Sequence, residues 1–99
     1  MLGPSNNRGT QDVKAEIRSF ILSNLAERRG VTAIEDEDSL IESGVVDSLG
    51  IFLIVTFLEE TFHVGVADDE ITPENFRSLT VISQMVERKR MLQKAGSEN

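Results

Sequence analysis

Apolar residues at Val13, Ile17, Phe20, Ile21 and Leu25 recur at spacings of four, three, one and four, which places them on one face of a helix from about Asp12 to Arg28. Thr10 or Asp12 can cap its start, Arg28 and Arg29 suit the negative C-terminal end, and Gly30 is a stop signal. A second helix is predicted from Asp47 or Ser48 to about Phe62. There Leu49, Phe52, Leu53, Thr56, Phe57, Leu58 and Phe62 form a broad apolar arc that Ile54 and Val55 widen. An arc this wide implies contact with more than one neighbour, or a lined cavity. Thr72-Pro73-Glu74-Asn75 sets a capping residue before a proline at the first helical position, and predicts a short third helix ending near Arg77. A last helix starts between Ser78 and Val81. Leu79, Ile82, Met85, Val86 and Met91 form its inner stripe, and basic residues from Arg88 to Lys94 form its C-terminal end.

The connection from Gly30 to Val46 is long for so small a chain, and long loops in compact domains need local packing or a function. Val31, Ile34, Leu40 and Ile41 can pin it to the helices, Asp38, Ser39 and Glu42 can form one capped turn, and Gly44 permits a tight bend. Val64 and Val66 alternate with His63 and Gly65 as a short extended stretch, followed by a solvated turn at Asp68 to Glu70. Residues 1–11 show no periodicity and are expected to be a flexible arm; residues 95–99 are expected to be a frayed tail. The pattern predicts one domain over residues 12–94: an all-α four-helix bundle of three long helices and a short third one, with a long first loop.

Composition narrows the class. Ninety-nine residues make one domain, and 39% hydrophobic with 27% charged residues is neither a disordered acidic tail nor a membrane span. No run approaches the roughly 18 apolar residues of a spanning helix. The polar start has no apolar segment of an export signal. The absence of cysteine removes disulfides, thiolate metal sites and cysteine nucleophiles, and a cytoplasmic monomer is the simplest expectation. Net charge is −7, unevenly spread: Gly30 to Phe76 holds twelve acids and no Lys or Arg, while the two ends together hold five acids and ten bases. Such a middle repels phosphate backbones, so nucleic acid is not an expected partner, and it attracts basic protein surfaces and steers them on arrival.

Self-contained catalysis is not expected. One histidine, no cysteine, and no nucleophile elbow, zinc-protease motif, P-loop or dinucleotide fingerprint are present. His63 falls at a helix end and reads as a surface residue. The runs Glu35-Asp36-Glu37-Asp38 and Asp68-Asp69-Glu70 lack the spacing and central glycine of a calcium loop. An 11 kDa bundle has little volume for a dry cleft besides its core.

One tripeptide carries chemistry. Asp-Ser-Leu occurs at Asp38-Ser39-Leu40 and again at Asp47-Ser48-Leu49. By itself it is a helix cap followed by a core leucine, and Ser39 is read that way. Ser48 follows Gly44-Val45-Val46 and opens a long apolar helix that ends in Leu58-Glu59-Glu60-Thr61-Phe62. On these two motifs, Gly44-x-x-Asp47-Ser48-Leu49 and Leu58-Glu59-Glu60-x-Phe62, the chain resembles the acyl carrier protein family and its peptidyl-carrier and stand-alone relatives, over about Asp12 to Arg88. The resemblance implies that Ser48 bears 4′-phosphopantetheine donated by coenzyme A. It also implies that Asp47 helps a separate phosphopantetheinyl transferase hold Mg²⁺, and that Leu49 anchors the helix start and touches the transferase. The second helix would be the recognition helix, with Glu59, Glu60 and the nearby loop acids presented to basic patches on acyl-activating and acyl-transfer enzymes, and with Ile51 and Leu53 as the apolar part of the partner face.

The physical logic agrees. The arm supplies the thiol that the chain lacks, and a serine at a helix N-terminus sets a phosphate where backbone N–H groups favour an anion. Two departures from the family's pattern count. One extra residue separates Gly44 from Asp47, and Gly50-Ile51-Phe52-Leu53-Ile54 offers no acid early in the second helix. Either Leu53 packs on a neighbouring helix, or this stretch is an apolar partner face or lines a wide interior with Phe52, Ile54, Phe57 and Phe76. The expected function is a non-catalytic carrier of a fatty acyl thioester in a specialised lipid or fatty acid pathway. An aminoacyl or peptidyl carrier for an adenylating ligase and an unmodified acidic helical adaptor are the alternatives.

Overall fold

In the computed structural model, which describes residues 10–97, three α-helices are joined by long connections: α1 (Thr10–Ile21), α2 (Ser48–Phe62) and α3 (Leu79–Ser97). Among the described residues there is no strand, and no helix is long and apolar enough to cross a membrane. Residues 1–9 of the expected arm lie outside the described residues. Thr10 and Gln11 already belong to α1, and α3 continues through Ser97 into the segment expected as a tail.

Val13, Ile17, Ile21 and Leu25, the stripe expected for the first helix, are all buried. Their strict four-residue repeat would drift by about 40° per step around a 3.6-residue helix. The chain corrects this after Ile21 with a π turn, Leu22–Ala26, and a 3-10 turn, Glu27–Arg29. The wider π turn returns Leu25 and Ala26 to the core side. Gly30, at φ 74, ends the helical stretch in the left-handed conformation expected of a helix stop.

The first loop is pinned as its apolar residues suggest, with Ile34 and Leu40 buried and Val31 and Ile41 packed against the core. Leu40 N–H donates to the Arg77 carbonyl at 2.8 Å and Val46 N–H to the Leu40 carbonyl at 2.9 Å, so the loop closes on itself and on the segment before α3. Asp36 is held by Lys14 (3.2 Å) and by the Arg18 guanidinium, which tie it to α1. The bend at Gly44 has φ 85.

The short third helix is a single 3-10 turn, Glu74–Phe76. Thr72 Oγ1 accepts from Asn75 N–H at 3.3 Å and starts it. Ser78, whose Oγ accepts from Val81 N–H at 3.2 Å, caps the next helix so soon that no second turn fits. The extended stretch at Val64 pairs with nothing among the described residues; Val64 is buried, and Val66 N–H donates to Glu59 Oε2 at 3.0 Å. On α3 the stripe is Leu79, Ile82, Met85 and Val86; Met91, expected to continue it, is 70% exposed because the helix has by then run past the core.

α1 packs chiefly along α3, with α2 against both. The phase of α2 differs from the expected arc. Gly50, Ile54, Val55 and Leu58 are buried, while Leu49 (65% exposed), Phe52 (55%) and Leu53 (39%) face outward. Ile54 and Phe76 are fully buried and Phe57 stacks on Phe20 with ring centroids 4.3 Å apart. The four side chains considered as the lining of a wide interior therefore belong to different environments and enclose none.

Candidate functional site

α2 starts where its caps require. Asp47 is the N-cap, and its Oδ1 accepts from Gly50 N–H at 2.8 Å while its carbonyl accepts from Ile51 N–H at 2.9 Å. Ser48 is thus the first helical residue, and it is exposed. A helix leaves its first N–H groups without intrahelical partners. With Gly50 N–H taken by the cap, those of Ser48 and Leu49 stand at the helix mouth.

Gly50 lets this mouth sit close to the body of the protein. A Cβ there would meet Val46 Cγ1 at 3.3 Å and Leu25 Cδ1 at 3.5 Å, so the first turn of α2 lies directly on the π turn of the first helical stretch. The 3-10 turn that follows carries Arg28 and Arg29 to the same place. Arg29 Nη2 stands 3.5 Å from Asp47 Oδ2, and both arginines line a cleft of about 50 Å³ with Leu25, Val45, Asp47, Leu49, Gly50 and Leu53.

The second Asp-Ser-Leu has the opposite environment. Ser39 is half-buried and its Oγ accepts from Glu42 N–H at 3.2 Å; Asp38 Oδ2 accepts from Glu35 N–H at 2.9 Å; Leu40 is 1% exposed. Ser39 is therefore committed to a turn, while Ser48 offers its hydroxyl to solvent.

The other expected site residues divide. Leu49 does not anchor the helix start: it points outward, and the anchoring falls to Gly50, Ile51 and Ile54. Ile51, expected on the partner face, is half-buried against the core, because in the observed phase it flanks Ile54. Leu53, left open between a neighbouring helix and the outer face, is 39% exposed on the outer face beside Phe52. Glu60 is exposed, and Glu59, also exposed, holds the chain after α2 through Val66 N–H. His63 is exposed and ends α2 in the left-handed conformation, φ 57. Reading the sequence missed Arg29, whose meeting with Asp47 across 18 positions only the fold creates. It also missed Gly50, for which a signal existed: a glycine in a helix's first turn often marks a close approach.

Two carboxylates away from the site have shifted titration. The hydrogen bond from Lys14, aided by the charges of Lys14 and Arg18, holds Asp36 below the usual aspartate range. Glu70 is held low by the hydrogen bond from Lys89 at 2.6 Å, with Ala67 N–H adding to it. Both bind loops to helices rather than serving α2.

Ser48 is exposed at a helix mouth, and the residues on either side of it, Asp47 and Leu49, line the cleft that Arg28 and Arg29 border; a helix N-terminus with cations nearby is an environment that favours an anion. The neighbouring cleft has apolar walls at Leu25, Val45, Leu49 and Leu53. Comparison with known proteins found relatives among carrier proteins. The chain is 39% identical over 57 residues to the D-alanyl carrier protein of Streptococcus pyogenes serotype M5 (strain Manfredo), and equally to those of serotype M49 (strain NZ131) and serotype M1. Each match covers 58% of this chain and 71% of the relative. No family model matches the chain.

Proposed function

The chain belongs to the phosphopantetheine-binding carrier proteins of the acyl-carrier type, and from that premise we propose that Ser48 is the residue that bears the arm. Proteins of this type carry 4′-phosphopantetheine covalently and are carriers, not enzymes. When bound, the arm supplies the thiol on which an acyl group is held as a thioester, in a chain with no cysteine. The observation that carries the reading is the exposed Ser48 at the first position of α2, set against the half-buried, turn-bound Ser39.

Each neighbour has a task in this reading. Asp47 fixes the helix start through Gly50 N–H and keeps a carboxylate beside the reacting hydroxyl, where a transferase's Mg²⁺ can use it. Leu49, Phe52 and Leu53 form the outer apolar face next to Ser48, and Glu60 adds charge farther along α2. Partner enzymes would meet this face, with the apolar side chains taking the place of an early acid. The acids elsewhere in the middle of the chain would attract their basic patches from a distance.

Two cargoes are supported by different observations. The relatives are named for a D-alanyl group, and an interior packed by Ile54, Leu58 and Phe76 favours a small aminoacyl group that stays at the end of the arm. The exposed apolar patch beside Ser48 favours a fatty acyl chain that lies along α2, as in the lipid-pathway reading.

Incubation with coenzyme A and a phosphopantetheinyl transferase, followed by intact-mass measurement, tests the site. Wild type and Ser39→Ala should each gain one phosphopantetheinyl group and Ser48→Ala none. A block by Ser39→Ala, or a gain by Ser48→Ala, would refute the assignment. The thioester mass on protein isolated from its own cells then separates aminoacyl from fatty acyl cargo.

A further inference from the structure

We propose that Arg29 is a positioning residue that holds the phosphodiester of the Ser48 arm against the mouth of α2 and so restricts the arm's swing. The inference rests on Ser48 as the attachment site. Arg29 closes the 3-10 turn Glu27–Arg29, and its guanidinium lies across the bend that leads into α2. Nη1 comes within 3.9 Å of where a Gly44 Cβ would be, and Nη2 within 3.5 Å of Asp47 Oδ2. The two residues that flank Ser48 in sequence, Asp47 and Leu49, both line the cleft that Arg28 and Arg29 border.

The contact with Asp47 is too weak to be the whole role of this side chain. It is long for a charge-assisted hydrogen bond. Its partners are 48% and 62% exposed, a situation in which ion pairs contribute little. Asp47 already has its capping partner at 2.8 Å. A guanidinium has five N–H donors in a planar fork that suits phosphate oxygens better than an ammonium does. The contact with Asp47 uses one of those donors and leaves the others available.

Charge gives the second reason. A phosphodiester on Ser48 places an anion next to the Asp47 carboxylate. Two adjacent anions at one helix end repel each other, and the helix dipole offsets them only in part. Gly30 to Phe76 contains no Lys or Arg, so the compensating cation has to come from outside that stretch. Arg28 and Arg29 both border the cleft, and Arg29 is the one that reaches Asp47. It can bridge Asp47 and the phosphate together, which holds the arm's root while leaving its thiol end mobile.

The test uses protein loaded with the arm, its loading verified by mass, and reads the phosphorus-31 resonance of the diester in wild type, Arg29→Gln, Arg29→Lys and Arg28→Gln. A restrained phosphate relaxes with the folded protein, so the wild-type line should be broad. It should narrow by about twofold in Arg29→Gln, toward that of a loaded short peptide. Arg28→Gln should keep the wild-type width and Arg29→Lys should restore part of it. An unchanged line in Arg29→Gln overturns the inference while leaving Ser48 intact as the carrier serine. Equal narrowing in Arg28→Gln and Arg29→Gln overturns it too, because overall charge would then account for the effect. Failure of wild type to gain the arm would remove Ser48 and the clamp together.

Discussion

Asp47 and Ser48 show how little sequence is needed to place a helix start, provided that the capping chemistry is unambiguous. An aspartate with extended backbone, φ −111, and an acceptor over Gly50 N–H decides where α2 begins, and therefore which residue stands first in the helix. This step is local and was legible from the tripeptide and the apolar run behind it. The same tripeptide at Asp38-Ser39-Leu40 was separable for the same reason: no helix-length apolar run follows it, and its groups close a turn instead. Arg29 was not legible, because a contact between residues 18 apart depends on the path of the whole first loop. Replacing Asp47 with alanine should cost about 1 kcal/mol through loss of the cap, whereas asparagine, an equally good N-cap, should cost less than about 0.5 kcal/mol. Urea unfolding of the two variants measures the difference; equal losses would mean that the carboxylate's charge matters more than its acceptor oxygen.

At the scale of elements, α2 was found at its observed ends but not in its observed phase. Between Leu49 and Leu58 only Gly50 and Thr56 break the apolar run, so a helical period has almost no contrast to reveal which side is inner. The packing decides: the close approach at Gly50 turns Ile54 and Leu58 inward and leaves Leu49, Phe52 and Leu53 outside. The π turn was illegible for a related reason, since widening one turn needs no change of residue type. Its only trace was a repeat of four where 3.6 was due. The two faces of α2 should respond differently to truncation. Ile54→Ala should destabilise by about 2–5 kcal/mol, as deletion from a packed core does. Phe52→Ala should change stability by less than about 0.5 kcal/mol, as an exposed substitution does, yet slow loading by the transferase. Thermal unfolding and loading rate read together check this. A Phe52→Ala protein that melts well below wild type would place that ring in the core.

Across the whole molecule, the division between an acidic middle and basic ends is partly closed by the fold. Lys14 and Arg18 of α1 grip Asp36 in the first loop, and Lys89 of α3 grips Glu70 in the turn after α2. The long connections that the apolar pattern could only describe as pinned are thus also held by charge, and Glu37 adds a 2.7 Å hydrogen bond from Thr80 Oγ1 at the start of α3. Nine acids of the middle, from Glu35 to Glu74, stay exposed and outside these ion pairs and that of Asp47 with Arg29, which leaves its negative surface available to basic partners. The gripped carboxylates also set an acid limit on stability. Asp36 and Glu70 both titrate below their ordinary values of 3.8 and 4.5 in the folded protein. Groups lowered in this way bind fewer protons folded than unfolded, so their contribution is complete above those ordinary values and disappears as pH falls through the lowered ones. Stability should therefore be level from neutral pH down to about pH 5 and fall below it. Asp36→Asn and Glu70→Gln should be less stable than wild type at pH 7, and each deficit should shrink as the pH is lowered toward 3, where the wild-type carboxylates lose their charge as well. Denaturation midpoints over this range test the argument. A deficit of the same size at both ends would show that shape and hydrogen bonding, rather than charge, hold these loops against α1 and α3.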